Sequence, residues 1–334
     1  MRPRQPGACP VTIKPVFDNA TPVTQAPEPK GFLDDVLLGF AQAQKTLPAK
    51  YFYDDAGSDL FEAITRLPEY YPTRTELAIL DAAGSEIAAA LPRGAALVEF
   101  GSGSTVKVRR LLRHLPDLAA YLPVDVSASF LRAQAEALRT DFPALRVEPV
   151  AADFTRPFSL PADLGDAPRA GFFPGSTIGN FEPAEAARLL RQFGAILGTG
   201  SVLVVGVDLV KDHAVLEAAY DDAAGVTAAF NRNVLTRINR ELGGTFDLDA
   251  FAHRAVFNDQ ASRIEMHLVA RAAQDVAVAG RPVAFAAGES IHTENSYKYT
   301  VESFRALAAS AGWAPVQVWT DPQALFSVHA LRLG

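Results

Sequence analysis

The hydrophobic positions of this chain follow two different rhythms. Up to residue 208, short, mostly apolar runs alternate with stretches of helical spacing. Ala95–Phe100, Tyr121–Val126, Ala170–Phe173 and Ser201–Val207 are such runs and mark buried strands, and Leu145–Val150, which carries Arg146 and Glu148, reads as a further strand between them. Between them the spacing predicts helices over Thr75–Ala90, Val106–Leu115, Ser127–Thr140 and Pro183–Leu197. Strands alternating with helices predict an α/β, doubly wound sheet. Beyond Asp208 the rhythm changes. Residues 209–242 read as polar helix, and 251–297 as antiparallel strands, with in-out alternation in Arg263-Ile264-Glu265-Met266-His267-Leu268. Val301–Ala311 then predicts a helix, and Pro315–Trp319 with Leu325–Leu333 a hairpin returning to the sheet.

The N-terminal third is less regular. Residues 1–30 carry seven of the 23 prolines and no apolar period, so a flexible leader is expected there. A helical pattern starts at Gly31 with Phe32, Leu33, Val36, Leu37 and Phe40. In Leu67-Pro68-Glu69-Tyr70-Tyr71-Pro72-Thr73-Arg74 two tyrosines stand between prolines, which predicts a rigid turn. The sheet unit is therefore expected over 75–208 plus 298–334. A second unit is expected from 31–74 packed with the insertion 209–297.

Composition narrows the function classes. A net charge of −7 and a pI near 5.4 argue against a nucleic-acid partner, whose phosphates need a basic face. The basic stretch Lys107, Arg109, Arg110 and Arg113 reads most simply as a solvated helix face. With Cys9 as the only cysteine no disulfide framework can form, and the six histidines show no two-histidine metal spacing, so no metal is expected. No run reaches the ~18 apolar residues of a membrane span, and no signal-peptide core is present, which predicts a cytoplasmic chain without a membrane partner.

The candidate chemistry starts at the first strand-to-helix turn. Gly101-x-Gly103 follows an apolar strand and lets backbone approach a ligand closely, but it lacks the third glycine of a dinucleotide fingerprint. A tight turn without a ligand would look the same. Asp125 ends the next strand 24 residues beyond Gly101, close to the spacing of a ribose-binding carboxylate, although an acid capping the following helix also fits. Asp153 and Phe154 follow a third strand and could hold an adenine, or simply begin a loop. A glycine-poor loop, an acid after the second strand and a closing hairpin favour S-adenosylmethionine (SAM) over NAD, because SAM has no pyrophosphate to capture.

Tyr51-Phe52-Tyr53-Asp54, Gly57-Ser58, the 67–74 block, Gly175-Ser176-Thr177-Ile178-Gly179-Asn180, Asp208-Leu209-Val210-Lys211-Asp212, Ala219-Tyr220-Asp221-Asp222 and Phe230-Asn231-Arg232-Asn233 together resemble the L-histidine Nα-methyltransferases of ergothioneine biosynthesis. The resemblance runs from about residue 31 to the C-terminus. It implies a Rossmann-like class I SAM methyltransferase sheet with a second, α+β substrate-binding domain, and trimethylation of the histidine α-amine to hercynine by a monomer. It also implies that Gly101, Lys107, Asp125, Asp153 and Phe154 bind SAM, and that Tyr53 stands near the reacting centre. Asn180 and Tyr220 would hold the histidine carboxylate, Tyr70, Glu294 and Ser296 its imidazole, and Met266 would pack near the ring. Those residue types suit these roles, since a carboxamide and a phenol can donate to a carboxylate, and a glutamate can accept an imidazole N–H. The amine proton could pass to Tyr53, to the Gly175 backbone carbonyl or to water, and the sequence leaves these three open. Asn295 and Tyr297 depart from the family pattern at the pocket margin. The competing readings are a family member acting on another aromatic amino acid, a SAM-binding protein without turnover, and an NAD-dependent oxidoreductase.

Overall fold

The structure, a computed structural model, describes residues 31–334, so the leader expected over 1–30 lies outside the described residues. Helix α1 (Phe32–Phe40), strand β1 (Lys45–Thr46), a 3-10 turn at Ala49–Phe52 and helices α2 (Asp55–Ile64) and α3 (Tyr71–Ala90) lead into the main sheet. There β2 (Ala96–Phe100), α4 (Thr105–Leu112), β3 (Ala120–Asp125), α5 (Ala128–Asp141), β4 (Val150–Ala151) and β5 (Arg169–Phe173) alternate. A 3-10 turn at Thr177–Asn180, α6 (Pro183–Leu197) and β6 (Val202–Asp208) follow. The insertion holds α7 (His213–Tyr220), α8 (Val226–Leu242), β7 (Phe251–Asn258), β8 (Arg263–Ala270), β9 (Gln274–Val278), β10 (Arg281–Phe285) and β11 (Ser290–Tyr297). The chain returns through α9 (Val301–Ser310) to β12 (Trp313–Thr320) and β13 (Phe326–Leu333).

The main sheet has seven strands in the order β12-β13-β6-β5-β2-β3-β4. Strands β2 to β6 run parallel, while β13 is antiparallel to both β6 and β12. This is the α/β doubly wound sheet with a closing hairpin that the sequence predicts. Strand order reverses at β2, which lies between β3 and β5, so a crevice opens beyond the carboxyl ends of these strands. Every residue of β2 and β6 is buried, including Glu99 and Asp208, as expected of mostly apolar strands in the middle of a parallel sheet.

Three boundaries differ from expectation. The strand expected over Leu145–Val150 is only two residues, Val150 and Ala151, with a single bridge from Val147 to Tyr121 before it. This edge segment needs little regular pairing. The tyrosine-proline block is not a free-standing turn: Tyr71 starts α3, four residues earlier than Thr75, and Pro72 sits in its first turn, where the missing N–H has no helical partner to lose. The basic helix is not simply solvated, because Lys107 pairs with the buried Glu76 at 2.7 Å.

The second sheet, β1-β11-β8-β7, is buried on one face, and β8 alternates strictly between buried and partly exposed residues. Its inner face shares an apolar cluster with both the N-terminal segment and the insertion, including Val36, Phe52, Ile64, Phe230, Leu235 and Leu268. No helix among the described residues is long and apolar enough to cross a membrane.

Under the crevice the core is aromatic. Phe100 at the end of β2 stacks on Phe193 of α6 with centroids 3.8 Å apart, and Phe173 meets Phe193 edge-on at 5.1 Å. Phe193→Ala is expected to cost about 3–5 kcal/mol by emptying this position. Urea unfolding should show a lower midpoint with an unchanged slope.

Candidate active site

Both turns beside the crevice depend on glycine. Gly101, with φ of +75°, takes a conformation that disfavours side chains, and a Cβ there would stand 3.1 Å from Phe154 Cε1. The Gly101 and Ser102 N–H groups donate to the Val124 carbonyl at 2.9 and 3.0 Å, which ties this turn to the end of β3. Gly175, with φ of +84°, lies after β5, and a Cβ there would stand 3.0 Å from Lys107 Nζ. Its N–H donates to both Glu76 carboxylate oxygens, at 3.0 and 2.9 Å. Glu76 is fully buried on α3 and therefore holds Lys107 and the Gly175 turn at once.

The two candidate cofactor carboxylates lie at the ends of adjacent strands. Asp125 accepts the Ser127 N–H at 2.9 Å, and burial raises its carboxyl above the usual range. The cap of α5 is Ser127, whose hydroxyl accepts the Phe130 N–H. Asp153 accepts from the Thr155 backbone and hydroxyl at 2.9 and 2.6 Å. Phe154 packs edge-on to Phe173 at 5.7 Å. A Cβ added at Gly103 would meet nothing within 4 Å, so the turn is open on its outer side. An open glycine turn flanked by Asp125 and Asp153 fits a nucleoside with a ribose diol and leaves no phosphate-sized nest to fill.

Beside this crevice, Tyr53, Tyr70, Tyr220, Met266 and Glu294 line a single cavity, together with Phe61, Ile64 and Phe230. Five of the candidate residues, drawn from the N-terminal segment, α7, β8 and β11, thus meet in one place. Tyr53 is 44 % exposed at the rim, with its ring against Phe61 and Phe230. Tyr70 and Tyr220 are buried and stand edge-on at 6.2 Å. Burial raises both phenols well above their ordinary value, so they remain protonated donors. Asn180 ends the 3-10 turn after β5 and does not line this cavity.

Glu294 reaches the cavity because β11 carries a bulge. The register of β11 against β8 shifts between His292 and Glu294, which moves Glu294 opposite Met266. In a regular strand residues 292 and 294 would share one face. Thr293, the extra residue, is buried, with its hydroxyl 2.8 Å from Asn231 Oδ1 and 3.0 Å from the Met266 carbonyl. Burial pushes the Glu294 carboxyl up to about 7, with the Lys298 charge pulling the other way.

Behind the cavity lies a network in which Lys298, Lys211, Glu76 and Tyr71 have parts that sequence patterns do not reveal. The Asp208 carboxylate, at the end of β6, accepts from Tyr71 Oη at 2.8 and 2.9 Å, Lys211 Nζ at 2.7 Å and Lys298 Nζ at 2.6 Å. Burial opposes its charge, but Lys298 and Lys211 outweigh that and keep the carboxyl below its ordinary value. Lys298 also donates to Tyr220 Oη at 2.9 Å and Ser296 Oγ at 2.8 Å, and these two oxygens lie 2.7 Å apart. The residues assigned to opposite ends of a histidine are thus in mutual contact. The one signal in the sequence was a lysine between two aromatics, Tyr297-Lys298-Tyr299. Tyr297 and Asn295 both hydrogen-bond Glu182, and Tyr297 also carries Arg263 against its ring, so neither lines the cavity.

The chain is similar in sequence to known proteins. A family model described as "Histidine-specific methyltransferase, SAM-dependent" matches residues 32–333. The histidine N-alpha-methyltransferase of Mycolicibacterium smegmatis is 48% identical over 303 residues, covering 88% of this chain and 92% of that protein. That of Mycobacterium tuberculosis is 45% identical, over 86% of this chain and 90% of that protein. Ergothioneine biosynthesis protein 1 of Neurospora crassa is 29% identical over 83% of this chain and only 32% of its own length.

Two outcomes follow from the buried charges. A glutamate whose pKa rises from 4.5 unfolded to about 7 folded leaves the folded state holding the extra proton. Its contribution is complete below about pH 4.5 and lost as pH rises through about 7. Glu294→Gln should therefore gain about 3 kcal/mol relative to wild type between pH 5 and pH 8, measured by urea unfolding without ligands. Lys298→Met should cost about 2–3 kcal/mol, because Asp208 keeps Lys211 and Tyr71 but loses one charged hydrogen bond, and the Tyr220 and Ser296 oxygens lose their shared donor. Unfolding at pH 7.5 that matched wild type would remove Lys298 from the network.

Proposed function

Because this chain belongs to the SAM-dependent, histidine-specific methyltransferase family, we propose that it methylates the α-amine of L-histidine. Three successive transfers would yield hercynine, the trimethylated product, on the way to ergothioneine. The observation that carries this reading is the single cavity where Glu294 and three tyrosines meet Met266. It combines an acceptor for an imidazole N–H, phenol donors for polar groups and an apolar wall for a ring.

Glu294 and Ser296 are proposed to hold the imidazole, with Tyr70 closing one side. Tyr220 and Asn180 are proposed to hold the carboxylate. The Lys298 ammonium donates to both the Tyr220 and Ser296 oxygens, and the 2.7 Å bond between those oxygens takes one of their two protons, so the other is free to point at substrate. Lys298 is thus a positioning residue.

SAM, when bound, supplies a methyl group made electrophilic by its sulfonium. Gly101, Lys107, Asp125, Asp153 and Phe154 are proposed to hold it. Lys107 does so through position, since its charge is already matched by Glu76. Tyr53 stands at the solvent-facing rim, where its hydroxyl can orient the amine and relay the released proton to water, and the Gly175 carbonyl is proposed to accept a hydrogen bond from the amine N–H. The remaining contribution is alignment in a cavity with restricted access to water.

Pure protein incubated with SAM and each amino acid in turn, followed by mass spectrometry, tests the assignment. Mono-, di- and trimethylhistidine should appear in sequence. Preference for tryptophan or tyrosine would replace histidine with another aromatic substrate, and SAM binding without any product would make the chain a silent binder. Glu294→Ala should lower kcat/KM for histidine about 100-fold, since the imidazole N–H loses its buried acceptor. Unchanged turnover would show that the glutamate does not face the ring.

A further inference from the structure

The outer face of the second sheet carries a cluster that the methyltransferase chemistry does not use. In the register of β11 on β8, His292 lies directly opposite His267, and Glu265 is two residues along on the same face of β8. Side-chain donor atoms of the three residues lie within 4.8 Å of one another. The two imidazoles stack with centroids 4.7 Å apart and planes 24° from parallel. Histidines 25 residues apart show no metal spacing in a sequence, and only the strand pairing brings them together.

We propose that Glu265, His267 and His292 form a binding site for a divalent transition-metal ion of the zinc class. Two imidazoles and a carboxylate are a donor set that suits such an ion, with a fourth position left for water. His267 Nε2 lies 3.2 Å from Glu265 Oε2, close to the ~3.3 Å edge of a tetrahedron with bonds of about 2.0 Å. His292 Nε2 lies 3.1 Å from the Glu294 carbonyl, which can only accept, so the lone pair of His292 is on Nδ1. The remaining Glu265 oxygen is already fixed, accepting from Asn258 Nδ2 at 2.9 Å and Arg263 Nε at 2.8 Å, as outer-shell groups do around metal carboxylates.

A cleft of about 250 Å³ bordered by His267, Arg254 and Ser290 gives an ion and its water a path in. Arg254 and Arg263 place positive charge nearby, which sets the expected Kd near 10 µM rather than tighter. The ion would clamp β8 to β11 across the bulge, on the face opposite Met266 and Glu294.

The test uses the untagged full chain, stripped with EDTA and exchanged into clean buffer. Titration with zinc chloride should show one equivalent bound with a Kd of about 10 µM, and saturating zinc should raise Tm. Cobalt chloride should give the visible absorption of a low-coordinate site. His292→Ala and His267→Ala should each weaken zinc at least about tenfold. Circular dichroism of each variant confirms folding, and His292→Ala, which lies outside the cavity, serves alone where His267→Ala does not fold. Absence of a stoichiometric zinc site, or a smaller loss than tenfold in every folded variant, overturns the proposal. Turnover of histidine with and without zinc is measured separately, so failure of this site and failure of the methylation reading remain distinguishable.

Discussion

One buried carboxylate joins the parts of this molecule. Asp208 ends the strand where the parallel sheet meets the antiparallel hairpin, and its partners come from the start of α3, the loop after β6 and the segment after β11. Taking three charges out of water is unfavourable unless each is matched. Here one carboxylate faces two ammonium groups and a phenol, and the excess of positive charge shifts an equilibrium: burial, resisted by the Asp208 charge and joined by that of Lys298, pushes Lys211 down to about 8. Remove Asp208 and the two ammonium groups remain desolvated beside each other without compensation. The arrangement fixes where the second sheet sits relative to the first.

Helix α3 transmits that fixed point to the chemistry. Tyr70, just before it, faces the cavity; Tyr71 binds Asp208; Glu76 holds Lys107 and the Gly175 turn. One and a half turns of helix thus serve the cavity, the hub, Lys107 and the Gly175 turn. Gly206 shows how close the packing is, since a Cβ there would lie 2.1 Å from Glu76 Oε1. The glycine on β6 and the glutamate on α3 require each other.

What the sequence made legible follows from range. Local periodicity placed α6 at Pro183–Leu197 and separated the parallel strands from the insertion, because those patterns are set by neighbours along the chain. The segment Leu145–Val150 misled, since its alternating apolar residues suggest a half-covered strand, whereas only Val147 is buried and regular pairing is confined to Val150 and Ala151 at the sheet edge. Lys107 misled for the opposite reason: its charge suggested solvent, while its partner Glu76 lay 31 residues earlier. Motif resemblance named the cavity residues, yet the network behind them stayed out of view. Lys298 and Asp208 are 90 residues apart, and Tyr71 and Asp208 137 apart, separations at which composition and period carry no signal.

The extra residue in β11 has a wider consequence. Counting from its N-terminal end, His292 belongs to the outer surface; counting from its C-terminal end, Glu294 and Ser296 belong to the interior, and the two counts disagree by one at Thr293. The strand is in effect two short reading frames joined at a frameshift held by Asn231. Chemistry on one face can therefore drift, be redesigned or be transplanted without setting the phase of the other. Any alignment or graft that closes this one-residue step would turn the cavity's acid outward while every residue kept its name.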